Sequence, residues 1–274
     1  MMALHTMPQR IELKTERELA ILAENARLLA DILLEVASAA VPGVSTAELD
    51  RLAERLIAKA GARPAFKGFQ DELHSWPYPA CLCTSLNQEI VHGLPAPDRV
   101  LAEGDLLSLD LGLVRKGYFA DAAVTVEVGE VDPEARRLVE VAWGALQAGV
   151  AQARIGLRVS DISHAIGAYV RKRGFFVVRE LVGHGIGRKL HEPPQIPNYG
   201  PPGRGPKLQA GMVLCLEPMI QTQDGPIRPG GDGWTVLTSS GGWAAHCEEM
   251  VAITPDGPRL LTGGIQEEIW RRRK

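Results

Sequence analysis

Asp110, Asp121, His184, Glu217 and Glu248 offer four carboxylates and one imidazole, spread over more than half of the chain. Each sits in a short apolar or glycine-rich stretch of the kind that forms strands and tight loops. Mostly oxygen donors with a single nitrogen suit borderline-hard divalent cations such as manganese, iron or cobalt better than a thiolate-rich zinc site would. Two such ions roughly 3.5–4 Å apart, bridged by carboxylates, are a recurring device for hydrolysis by metal-activated water. The set therefore points to a hydrolytic two-metal centre.

The spacing within residues 106–128 is the most informative. LLSLDLG alternates, so Leu107, Leu109 and Leu111 face one way and Ser108, Asp110 and Gly112 the other. A turn around Arg115-Lys116-Gly117 leads into YFADAAVTVEV. A hairpin centred between Arg115 and Lys116 sets Asp110 directly opposite Asp121, with Cα atoms roughly 5 Å apart. Like charges so placed are destabilising unless a cation lies between them. Taken alone, either aspartate also fits a solvated loop.

In LVGHGIGRKLHEPPQIPNYG, His184 stands between two glycines, as suits a backbone that approaches a ligand closely, and His191 follows in the same loop. A lone histidine is more often a hydrogen-bonded structural residue, but two in one such loop favour function. GHGIG completes neither a dinucleotide nor a Walker loop, and Pro193-Pro194 forbids the helix that an H-E-x-x-H zinc site needs. Glu217 ends the apolar run GMVLCLE, where a carboxylate is costly unless paired or metal-bound. In WAAHCEEMVAIT, Glu248 and Glu249 point to opposite faces of a strand, so only one can join the site, and spacing leaves open which.

The elements that must position these residues follow a repeated grammar. Residues 15–40 carry an apolar stripe of Leu19, Leu22, Ala26, Leu29, Leu33 and Val36 at helical spacing, ended by Pro42-Gly43. Ser45 or Thr46 caps a second helix, residues 47–60, stopped by Gly61. Residues 133–153 read as a third helix, and Ser160-Asp161 starts a fourth that Gly174 ends. Gly43 and Gly156, Leu49 and Ile162, and Gly61 and Gly174 are each 113 residues apart. Each helix pair runs on into short strands, so the spacing predicts one domain of two similar halves with the site at their junction.

Length and composition fit this reading. The 274 residues are 45% apolar and 23% charged, ordinary for a soluble globular enzyme, and the net charge of −3 lacks the footprint of a nucleic-acid binder. No run approaches the roughly 18 apolar residues of a membrane helix, and the first residues lack a signal-peptide core. Cys81, Cys83, Cys215 and Cys247 form no C-x-x-C pair and sit in apolar runs, as buried free thiols do in a reducing cytoplasm. The basic end, Arg271 to Lys274, reads as a solvated tip.

The motifs NQEIVHG, SLDLG followed by Asp121, GHGIGRKLHEPPQIPNYG, LEPM, and DGWTV before the last glutamate closely resemble the type I methionine aminopeptidases of metallopeptidase family M24, in order and spacing, over residues 11–261. The resemblance implies an α+β pita-bread fold: two pseudo-symmetric halves of antiparallel sheet with helices outside. The catalytic domain is expected at residues 11–262, with halves of about 11–130 and 131–262. Residues 1–10 are expected to form a flexible N-terminus, and residues 263–274 a C-terminal tail.

Two divalent ions (cobalt, manganese, iron, nickel or zinc) are implied, with Asp110 on one, His184 and Glu217 on the other, and Asp121 and Glu248 bridging. This match selects Glu248 over Glu249. Glu217 is the implied proton shuttle, and His92 and His191 hold the substrate and stabilise the tetrahedral intermediate. Tyr78, Cys83 and Trp234 fall where the family builds its methionine pocket. The implied activity is removal of the initiator methionine from nascent chains when the second residue is small. A cytoplasmic monomer is expected, with transient ribosome contact and no stable nucleic-acid or membrane binding. The alternatives are a proline-directed pita-bread peptidase and a non-catalytic binding protein of the same fold. The chain departs from the family pattern in a longer loop that places His74 and Trp76 near the pocket entrance. It also carries Leu190 where an aromatic residue is frequent, Glu249 where histidine is, and Ala120 in place of glycine.

Overall fold

Thr15 and Glu18 start the first helix with a capping box, each backbone N–H of the pair donating to the other's side chain. In the computed structural model, which describes residues 10–70 and 74–273, this helix, α1, spans Glu16–Ala39. Its stripe is buried as expected: Leu22, Leu29 and Leu33 have no exposed surface. Each such leucine contributes about 1.5–3 kcal/mol relative to an exposed one. Ser45 and Glu48 form a second capping box at α2, Thr46–Lys59, which settles the cap on Ser45. Helix α3 is Pro133–Val150, capped by Asp132, and α4 is Val159–Lys172. At α4 the Asp161 carboxylate accepts the Arg158 N–H, so Asp161 stands in the first turn of a helix that begins one residue before Ser160. The second and fourth helices begin and end 113 residues apart. The two-residue strands that follow them, Arg63–Pro64 and Phe176–Val177, keep the same offset.

All the strand pairs among the described residues are antiparallel. One sheet centres on Leu106–Arg115, flanked by Leu82–Leu86 and Tyr118–Glu127. A five-stranded sheet runs in the order Gly257–Leu260, Glu249–Thr254, Val213–Leu216, Val182–Gly185, Glu192–Pro197. Cys215, Met250 and Ala252 on one face of this sheet join the core under α1 and α2. Leu214, Leu216, Val251 and Ile253 on the other join the core under α3 and α4. A sheet apolar on both faces explains the continuous hydrophobic runs around Glu217 and Glu248. No described helix is long and apolar enough to cross a membrane.

The expected flexible N-terminus, residues 1–10, lies outside the described residues except for Arg10. The expected C-terminal tail is a helix, α5, Ile265–Arg273, with Ile265 and Ile269 buried against the first core. Its charge-rich sequence hides an inward face of Ile265, Ile269 and the buried Gln266, whose amide bonds the Thr125 backbone, with Trp270 packed against the second core. Glu249 holds the start of this helix, its buried carboxylate accepting the Ile265 N–H at 2.9 Å and the Thr262 hydroxyl. Glu249→Leu leaves both donors without an acceptor. It should cost about 1–3 kcal/mol in urea unfolding while leaving activity per folded molecule unchanged. Loss of activity without loss of stability would place Glu249 in the site instead.

Candidate metal centre and substrate cavity

The central hairpin turns at Lys116-Gly117, because Arg115 pairs with Tyr118. Both loop residues have positive φ, 52° and 77°, the two-residue geometry whose twist matches the flanking strands. Asp110 therefore faces Ala123, and Asp121 faces Gly112. This corrects the expected register, in which the two aspartates were directly opposed. They are diagonal neighbours, and they remain on one face because moving the turn by one residue shifts every partner by two. Ala123 bridges to Glu248 on its other side, the Glu248 N–H donating to the Ala123 carbonyl at 2.8 Å. Asp110, Ala123 and Glu248 thus stand in line across three segments, with Asp121 two residues along.

His184 pairs with Cys215 in the five-stranded sheet, two residues before Glu217. The glycines beside it make room for the neighbouring strands, which corrects the expectation that they let the backbone approach a ligand. A Cβ at 183 would lie 2.4 Å from the Cys215 carbonyl oxygen, and one at 185 would lie 2.3 Å from that of Pro193. His184 Nδ1 donates to the Gly185 carbonyl at 2.9 Å, which leaves the Nε2 lone pair facing the carboxylates. Nε2 lies 3.5 Å from Glu217 Oε1, 3.9 Å from Asp121 Oδ2 and 4.0 Å from Glu248 Oε1. The five residues expected to gather from sequence are brought together.

No lysine or arginine among the described residues comes within ion-pair distance of these four carboxylates; only His184 and His246 do. Burial raises all four carboxyl pKa values, Asp110 to about 7. The charges of Glu248 and Asp110 add to the effect on Asp121, those of Asp121 and Asp110 to that on Glu217, and those of Glu217 and Asp110 to that on Glu248. Burial, with the charge of His191, holds His184 neutral by lowering its pKa to about 3. Asp110 Oδ1, Asp121 Oδ1 and Glu248 Oε1 are buried with no hydrogen-bond donor. Buried acceptors without donors are costly, and a cation satisfies them all at once. Asp110, Asp121 and Glu248 place donor atoms within 4.8 Å of one another, and Glu248 forms a second such group with His184 and Cys215. Burial and the neighbouring carboxylates push the Cys215 thiol up, so it stays protonated and the oxygen donors dominate. The residues fit a divalent metal.

A cavity of about 100 Å³ opens beside this centre. Tyr78, Cys83 and Trp234 line it, together with Phe66, Phe69 and Leu190. Tyr78 is fixed by donating toward the Leu82 and Gly93 carbonyls, each at 3.1 Å. His92 and His191 face both this cavity and a wider groove of about 730 Å³. His92 adopts φ 59°, a left-handed conformation that a non-glycine residue holds only where its surroundings enforce it. The rings of His184 and His191 meet edge to face, 4.5 Å between centres. In the long loop, whose residues 71–73 lie outside the described ones, His74 stacks flat on Trp234 at 3.6 Å and Trp76 meets it edge-on. His246, which sequence reasoning passed over, also lines the groove. Its signal was present: it stands two residues before Glu248, the spacing that shares a strand face.

Residues 20–255 match the profile of metallopeptidase family M24. The chain belongs to metallopeptidase family M24. Within the family, this M24 chain is 46% identical over 252 residues to a methionine aminopeptidase of Clostridium acetobutylicum, covering 92% of this chain and 98% of the relative. The crystal structure of the Thermotoga maritima methionine aminopeptidase superposes with a TM-score of 0.89 at 40% identity, covering 93% and 100% of the two chains. An Xaa-Pro dipeptidase from Bacillus anthracis gives 0.72 at 23% identity, covering 91% of this chain and 61% of the other. That last likeness concerns the fold alone. The fold of this M24 metallopeptidase is the pita-bread fold.

Proposed function

We propose that this M24 metallopeptidase is a dinuclear methionine aminopeptidase that removes the initiator methionine from nascent chains with a small second residue. Asp110, Asp121, His184, Glu217 and Glu248 would hold the two divalent ions. The observation that carries this reading is the direct opening of the small apolar cavity onto those five side chains. It supports an exopeptidase that seats one side chain and presents the bond next to it. The divalent ions, when bound, supply Lewis acidity and bring the ionisation of water near neutral pH.

The protein's own residues do the rest. Tyr78, Cys83 and Trp234 receive the methionine side chain. His92 and His191, between cavity and groove, donate to the scissile carbonyl oxygen as its charge develops. Glu217 takes the proton of the attacking water and returns it to the leaving amine. The groove beyond them accommodates the remaining peptide. Four buried free cysteines support a reducing, cytoplasmic setting.

The test is peptide cleavage by the purified protein. Met-Ala-Ser should release methionine in the presence of a divalent ion and not with a chelator. Xaa-Pro peptides should be cut with a kcat/KM lower by at least about a hundredfold. Preference for Xaa-Pro would make it a proline-directed peptidase, and no cleavage of either a binding protein.

A further inference from the structure

His246 has no place in the machinery described above, yet its ring is built into it. The residue is 2% exposed, and its Nε2 is buried without a hydrogen-bond partner. Glu217 Oε2 lies 3.8 Å from that nitrogen. The other oxygen of the same carboxylate, Oε1, lies 3.5 Å from His184 Nε2. Two imidazoles thus flank one carboxylate, each beside a different oxygen. No hydrogen bond from a described residue reaches the Glu217 carboxylate; Asn198 bonds only its backbone carbonyl.

The backbone that carries His246 is held firmly. Its N–H donates to Thr125 Oγ1 at 3.0 Å, and the same hydroxyl donates to the His246 carbonyl at 2.8 Å. Thr125 is in turn 2.8 Å from the Ser108 hydroxyl. His246 pairs with Met219, two residues past Glu217, so the two side chains share one side of the groove. A separation just beyond direct hydrogen bonding is closed by a small side-chain shift or by one bridging water.

We propose that His246 is a positioning residue for Glu217: its Nε2–H holds Oε2, on the groove side, and leaves Oε1 to the metal side beside His184. A carboxylate asked to serve a cation with one oxygen and a proton with the other needs its rotamer fixed, and His246 is placed to fix it. This inference rests on the aminopeptidase reading and names a residue which that reading leaves without a role.

His246→Leu keeps bulk and removes the ring nitrogens, while His246→Gln returns an amide donor at similar reach. Both are compared with wild type for kcat and KM on Met-Ala-Ser and for bound metal after dialysis. The leucine variant should lose about tenfold to hundredfold in kcat, the range for partners that orient a metal ligand, with KM and metal content little changed. Glutamine should restore most of the rate. If the leucine variant does not fold, His246→Asn replaces it: its amide is too short, so it should turn over far more slowly than the glutamine variant.

Equal impairment of leucine and glutamine, or wild-type kcat in either leucine or asparagine, overturns the proposal. So does loss of metal from the leucine variant, which would make His246 a ligand. Failure of the wild-type protein to release methionine would instead sink the aminopeptidase reading.

Discussion

Asp121→Ala is expected to abolish peptide hydrolysis, by at least about a thousandfold in kcat/KM, the several kcal/mol that a metal site supplies. Asp121 stands at the centre of the cluster. It lies 3.9 Å from His184 Nε2, it shares a donor group with Asp110 and Glu248, and its charge raises the Glu217 pKa. Removing it takes donor atoms from between the remaining ligands, so metal content measured after dialysis should fall with the rate. The fold should survive, because the strand pairing opposite Gly112 is made by backbone and the buried Oδ1 accepts no hydrogen bond. Thermal unfolding without metal should show the variant at least as stable as wild type, since one of four crowded carboxyls is gone. Full turnover by an Asp121→Ala variant carrying its full complement of metal would sink the assignment.

The acids were legible in the sequence because strand periodicity is insensitive to the error made in placing them. Lys116 takes a left-handed conformation that its side chain gives no reason to expect, so the sequence alone centres the turn one residue early, yet Asp110 and Asp121 keep their shared face. The helices announced themselves through local chemistry: Thr15 with Glu18, Ser45 with Glu48, and Asp132 before Pro133. What stayed hidden depends on contacts distant in sequence. The last helix packs through Ile265, Gln266 and Ile269 and owes its start to Glu249, sixteen residues before Ile265. The spacing of His246 to Glu248 is local, but its place beside Glu217 appears only once the fold sets the two together. Phe66 and Phe69 join the cavity wall through a loop with no periodicity to read.

Removing metal should reverse the way stability depends on pH. In the metal-free protein the four carboxyls have folded pKa values raised by burial, to about 7 for Asp110 and above the ordinary range for the others. A raised carboxyl binds more protons folded than unfolded, so its stabilisation is complete at low pH and is lost as pH rises through the folded value. His184 and His246 work against this, since burial lowers both to about 3. Their contribution begins to be lost as pH falls below the unfolded value of roughly 6.5 and is gone near the folded value of about 3. Between about pH 8.5 and 6.5 these carboxyls act in the same direction as the four buried thiols, whose pKa values burial also raises. Chelated protein should therefore melt at least about 3 °C higher at the acidic end, the equivalent of roughly one kcal/mol for a chain of this size. Below that window the histidines should flatten the gain. Metal-loaded protein should show the opposite slope, because metal holds its ligands deprotonated and protons compete with it. Calorimetry at matched pH, with chelator and with manganese, measures both slopes. Parallel slopes would mean that these carboxylates do not hold the metal, whatever the cavity beside them accepts.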